Sequence, residues 1–185
     1  MTVIGSGSAV NVRLAPDAGF LRDPATVYPV TIDPSYTNQL YPTFDTFVQQ
    51  GYTSDQSGAT ELKLGNDGAG EVARSFLNLT MTPWAGKDIV NADLALWEWH
   101  SWSCLARQWD VWRTGAASTA TRWTAQPTWF AGWGSSTETR GHDAGCADGW
   151  VYADLTGLIQ AWADQSAGAV AIGRASCRER VLRLV

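Results

Sequence analysis

The eleven tryptophans are the residues of this sequence best suited to chemistry, and that chemistry is recognition, not bond breaking. Each wide indole must either be buried in a core or presented as a contact surface. Trp97 and Trp99 share one face of an expected strand. Trp112, on the strand expected beside it, extends that face if Asp110 and Trp112 point outward opposite Trp109 and Val111. Flat indoles stack on the apolar faces of pyranose rings, with neighbours such as Glu98 or Asp110 binding hydroxyls. The competing reading covers these rings with a second layer or a neighbouring domain. Trp129 and Trp133 lie in Pro127-Thr128-Trp129-Phe130-Ala131-Gly132-Trp133-Gly134, a Gly-rich stretch that reads as a loop. Such a loop either reaches a ligand or folds down over a sheet edge.

Bond-breaking chemistry finds no comparable support. Glycoside hydrolysis needs two carboxylates in a cleft with one pKa raised, whereas Asp143, Asp148, Asp154 and Asp164 sit in turn or capping contexts. His100 and His142 are the only histidines, and neither belongs to a metal-spaced motif. Gly5-Ser6-Gly7-Ser8 lacks the lysine that a phosphate loop requires. Asn66-Asp67-Gly68 and Asp143-Ala144-Gly145 could donate oxygens to a structural Ca²⁺, but ordinary turns explain them better. The expectation is no catalytic residue, no metal and no cofactor.

Cys104 and Cys146 lie inside the globular region and Cys177 in a basic tail, with no Cys-x-x-Cys spacing. The pair reads either as a disulfide of an exported protein or as two unrelated buried thiols. Residues 1–9 lack the basic start and apolar stretch of a signal peptide, so export would depend on an upstream segment. A net charge of −5 leaves no basic surface to neutralise phosphates, which argues against nucleic acid. No apolar run approaches the ~20 residues that span a bilayer.

The elements that must hold these residues are strands. Eighteen glycines and few long stretches of helix formers point to short strands joined by tight turns. Runs at 44–49, 61–64, 73–79, 92–100 and 107–113 predict strands of an all-β antiparallel sandwich. In the fourth run, Ala92, Leu94 and Leu96 form the core face, with Asp93, Ala95 and Trp97 opposite. One short helix is predicted at 154–162, with Asp154 as its cap and Leu155, Leu158, Ile159 and Trp162 on its buried face.

Residues 1–36 read as the end of a preceding β-domain plus an Asp33-Pro34 linker, with a Pro-bounded strand in Tyr28-Pro29-Val30-Thr31-Ile32. The sandwich is expected over 37–172. A strand begins at Ala167, and its apolar alternation stops at Gly173. The tail 173–185 holds Arg174, Arg178, Arg180 and Arg183, four of the thirteen positive charges, and differs in composition from everything before it. Written back into codons, this stretch is similar to a translated sequencing adapter, so a non-native tail is expected there.

Asp45-Thr46-Phe47-Val48, Leu62-Lys63-Leu64-Gly65, Arg74-Ser75-Phe76-Leu77, Ala92-Asp93-Leu94-Ala95-Leu96-Trp97, Trp123-Thr124-Ala125-Gln126-Pro127 and the segment from Asp154 to Asp164 occur in the order found in the DNRLRE domain family. The chain resembles the actinobacterial form of that module. Tyr28 to Pro34 matches the phrase before the domain, and Ser101 to Cys104 matches the phrase that pairs with Cys146 to Trp150. The resemblance implies a jelly-roll-like sandwich similar to carbohydrate-binding modules, in a secreted or cell-surface bacterial protein. The expected function is a non-catalytic accessory module that contacts cell-wall or extracellular polysaccharide through tryptophans. The alternative is a purely structural spacer between neighbouring domains of a wall-associated repeat or toxin protein, and an enzyme ranks third.

Overall fold

Alternating apolar and polar residues, with β-branched and aromatic side chains favoured in strands, set the architecture in a computed structural model of the chain. It describes residues 2–4, 11–13, 16–30, 39–66, 70–176 and 182–184. Two compact units divide the sequence, Met1–Asn38 and Gln39–Val185.

In the first unit β1 (Thr2–Ile4) and β2 (Asn11–Arg13) form an antiparallel hairpin. A short helix that the sequence reading did not anticipate, α1 (Ala18–Arg22), follows, capped by the Asp17 carboxylate accepting from the Phe20 N–H. Tyr28 to Val30 is not strand. The rest of the strand expected there, and the Asp33-Pro34 linker, lie outside the described residues.

The second unit contains β3 (Phe44–Gln49), β4 (Leu62–Asn66), β5 (Val72–Thr80), β6 (Asp93–His100), β7 (Trp109–Thr114), β8 (Trp129–Ser136), β9 (Gly149–Asp154), α2 (Thr156–Asp164), β10 (Ala169–Ser176) and β11 (Leu182–Leu184). Every pairing is antiparallel. One sheet runs β8-β7-β10-β5-β3 and the other β4-β11-β6-β9. β4 joins the two, because Gly65 and Asn66 pair with β5 while Leu62 to Leu64 pair with β11.

Leu64, Leu77, Trp109, Val111, Val151 and Ile172 come from both sheets and meet in one buried core, against which Leu94 and Leu96 of β6 pack. The unit is therefore an all-β sandwich. Trp162, 2 % exposed, anchors α2 in this core together with Leu158 and Ile159. The helix starts two residues later than expected. Leu155 takes the cap position, and Asp154 accepts from the Thr156 N–H at 2.8 Å from just outside.

The final strands depart from the sequence reading. β10 does not stop at Gly173; its ladder continues to Arg174 against β5 and to Ser176 against β7. Backbone pairing on both edges carries a central strand past the point where apolar alternation ends. The adjoining tail supplies β11 between β4 and β6.

Candidate functional site

β6 and β9 pair with Trp97 opposite Trp150, Ala95 opposite Tyr152 and Asp93 opposite Asp154. Leu94, Leu96, Val151 and Ala153 face the core. Strand alternation therefore sets Asp93, Ala95, Trp97, Trp99, Trp150, Tyr152 and Asp154 on the outer face of the sandwich. The rings lie in solvent: Trp99 is 37 %, Trp150 50 % and Tyr152 44 % exposed. Trp97 is half-buried, its ring edge-on to Trp150 with centroids 5.5 Å apart and planes at 81°. Cross-strand aromatic pairs of this kind stiffen the ribbon that carries them.

Both ends of the strip are anchored. Beyond Trp99, the Ser101 N–H donates to the Gly141 carbonyl at 3.0 Å, and the Cys104–Cys146 disulfide joins the two loops with Cα atoms 6.3 Å apart. Gly141 has φ +76°, and a Cβ there would stand 2.6 Å from backbone atoms of Trp99 and His100. Only glycine permits that approach. Fully buried Glu98 accepts from the Arg140 N–H at 3.0 Å, which holds the second loop against β6. On the outer edge of β9, a Glu138 carboxylate oxygen accepts from the Tyr152 N–H at 2.7 Å. The aromatic face is thus held in place by hydrogen bonds and the disulfide.

At the opposite end from Trp99 stand two carboxylates. Asp93 accepts from the Asn91 side-chain amide at 2.8 Å. The Thr156 hydroxyl and then its backbone N–H hold the Asp154 carboxyl below the ordinary carboxylate range, so it stays ionised near neutrality.

The remaining tryptophans named from the sequence fall elsewhere. β7 is flanked by β8 and β10, not by β6, so Trp112 does not extend the Trp97 and Trp99 face. Asp110 and Trp112 do point away from buried Trp109 and Val111, as expected, but on the other sheet. Trp129 and Trp133 lie on β8, not on a loop. Trp129 packs 5.3 Å from Phe76 and 6.4 Å from Trp112, and the Arg74 guanidinium lies 5.0 Å from the Trp123 ring and 5.4 Å from Trp129. This second cluster is half-buried and stapled by a cation, so its ring faces are already in use. Trp133, 43 % exposed, lies on β8 beside Gly157, where a Cβ would stand 3.9 Å from its ring.

Glu98 cannot bind sugar hydroxyls from the outer face, because it points inward and is 0 % exposed. Asp110 accepts from the Gln108 amide at 2.7 Å on the other sheet. The Asp143 carboxylate is engaged in a turn, accepting from the Gly145 and Cys146 N–H groups at 2.8 and 3.1 Å. Asp67 and Gly68 of the other calcium-like turn lie outside the described residues. Among the described residues no three His, Cys, Asp or Glu side chains converge as metal ligands, and no helix is long and apolar enough to cross a membrane.

Sequence reasoning missed Trp150 and Tyr152. Their alternation with Val151 and Ala153 was the available signal.

No curated protein matches the chain. A model of carbohydrate-binding module family 96 matches residues 36–180, which takes in the whole β6–β9 face and all but the last strand of the sandwich. With most of its length covered by that match, the chain belongs to carbohydrate-binding module family 96.

Proposed function

We propose that this protein is a non-catalytic accessory module of a larger secreted or cell-surface bacterial protein, and that it binds polysaccharide on the β6–β9 face through Trp97, Trp99, Trp150 and Tyr152. The observation that carries this reading is the row of rings on two paired strands, with Trp99, Trp150 and Tyr152 exposed to solvent and Trp97 half-buried against Trp150. Contiguous exposed aromatic surface on a soluble fold marks a contact site, and ring faces fixed on a sheet suit the C–H faces of sugars. The family supports the ligand class, the disulfide suits an oxidising compartment, and the resemblance to DNRLRE domains supports the parent's character. Trp112, Trp129 and Trp133 are not assigned to this surface.

The test is retention of the purified protein on a panel of insoluble and soluble polysaccharides, beside a Trp97→Ala, Trp99→Ala double variant whose thermal melt is checked. Central aromatic anchors each carry about 2 kcal/mol or more of binding, so the double variant is expected to lose at least about thirtyfold in affinity. Retention on no glycan would favour the spacer role and sink this reading.

A further inference from the structure

The aromatic strip continues past Trp99 into the loop that follows β6. The strand ends at His100, and that imidazole bridges two indoles. Its centroid lies 5.7 Å from the Trp99 ring and 5.2 Å from the Trp102 ring, with the second pair edge-on at 83°. One ring therefore separates Trp102 from the end of the strip. Trp102 is 56 % exposed, more than any of the four rings on β6 and β9.

The segment that carries this indole is tied down on both sides of it. Ser101 is buried, and its hydroxyl donates to the Ser103 carbonyl at 3.2 Å. The Thr139 hydroxyl donates to the same carbonyl at 3.4 Å, and the Leu105 N–H donates to the Ser103 hydroxyl oxygen at 3.2 Å. Cys104 is bonded to Cys146. The backbone is held while Trp99, Trp102 and Leu105 leave apolar surface in water. Exposed apolar side chains gathered on a loop that a scaffold positions mark a contact site.

The strip alone is short. Ala95, opposite Tyr152, and Trp99 are four residues apart on β6, about 14 Å along an extended strand. That length seats a short oligosaccharide, and Trp102 lengthens the platform at its Trp99 end.

Resting on the assignment of the β6–β9 face as the glycan site, we infer that Trp102 is a further binding residue. It receives the sugar rings of a polysaccharide that extend past Trp99, so the module selects long chains over short oligosaccharides. Strip and loop form one platform, joined through His100 and clamped by the Cys104–Cys146 disulfide.

Calorimetric titration with trimers and hexamers of the cello, xylo, manno and mannuronate series tests this, with Trp102→Ala beside the wild-type protein. In whichever series binds, Trp102→Ala should weaken the hexamer about tenfold or more and the trimer by less than about twofold, as loss of one aromatic anchor beyond the trimer's reach implies. Trp102→Phe keeps a ring and should retain most of the hexamer affinity. Unchanged hexamer affinity in Trp102→Ala overturns the inference and leaves the strip standing. Equal weakening of trimer and hexamer would make Trp102 a support for Trp99 instead of a contact, and overturns it too. Binding of no oligosaccharide in any series overturns the site itself, and the inference with it.

Discussion

Replacing Arg174 with methionine and Glu98 with glutamine together is expected to make this protein more stable. Arg174 lies on β10 between two strands, 2 % exposed, and its three guanidinium nitrogens have no hydrogen-bond partner among the described residues. Its surroundings are Leu62, Ser75, Leu77, Leu96 and Ile172, with the Trp109 ring 3.6 Å from the guanidinium carbon. Burial depresses its pKa well below the ordinary arginine value, to about 9, and Glu98 offsets only part of the effect. A depression of that size corresponds to a cost on the order of 5 kcal/mol for burying the charge. The cation–π contact with Trp109 returns about 2 kcal/mol. Removing Arg174 alone would strip Glu98 of a nearby positive charge, so the pair is changed together.

The expected gain is about 3 kcal/mol, measured by urea unfolding at pH 8. The sign with pH follows from linkage. A base with a depressed folded-state pKa destabilises fully below that pKa, and the penalty fades as pH rises from about 9 towards the ordinary arginine range. The stability gap between variant and wild type should therefore narrow by about 2 kcal/mol between pH 8 and pH 10.5. A double variant no more stable than the wild type, or a gap that stays constant over this range, would refute the reasoning.

Two further perturbations test how the aromatic face is held. Cys104→Ala opens a link across 42 residues, and loop-closure entropy puts the loss at about 2–4 kcal/mol. Calorimetry without reductant checks it, and an unchanged melt would mean that the crosslink does not restrain the unfolded chain. Gly141→Ala introduces a Cβ 2.6 Å from the backbone of Trp99 and His100 at a φ of +76°. It is expected to cost about 1–3 kcal/mol and to weaken glycan retention more than Gly168→Ala, where a Cβ meets nothing within 4 Å.

How much of this was legible depends on how local each determinant is. The inward set Leu94, Leu96 and the buried pair Trp109 and Val111 follow from period-two alternation alone, and Trp162 from helical spacing. The β8 strand was hidden because its glycines read as turn formers. Gly132 lies beneath the Trp112 indole, 3.5 Å from where a Cβ would be, and a Cβ on Gly134 would meet the Asp154 carbonyl at 2.6 Å. Gly132 marks a close approach within one sheet, and Gly134 one between β8 and the end of β9 in the other sheet. Which strand lies beside β6 was not readable at all, since β9 is remote in sequence and no local signal prefers it to β7. At Gly173 the apolar pattern stops while the backbone ladder does not, and the next residue is Arg174, a side chain the core cannot satisfy. Tryptophan shows the general limit: the same side chain is a core anchor at Trp162, a stapled half-buried ring at Trp129 and a solvent-facing ring at Trp150. Composition supplies the rings. Strand register decides which of them can meet a ligand, and only the pairing of β6 with β9 turns Trp97, Trp99, Trp150 and Tyr152 into one surface.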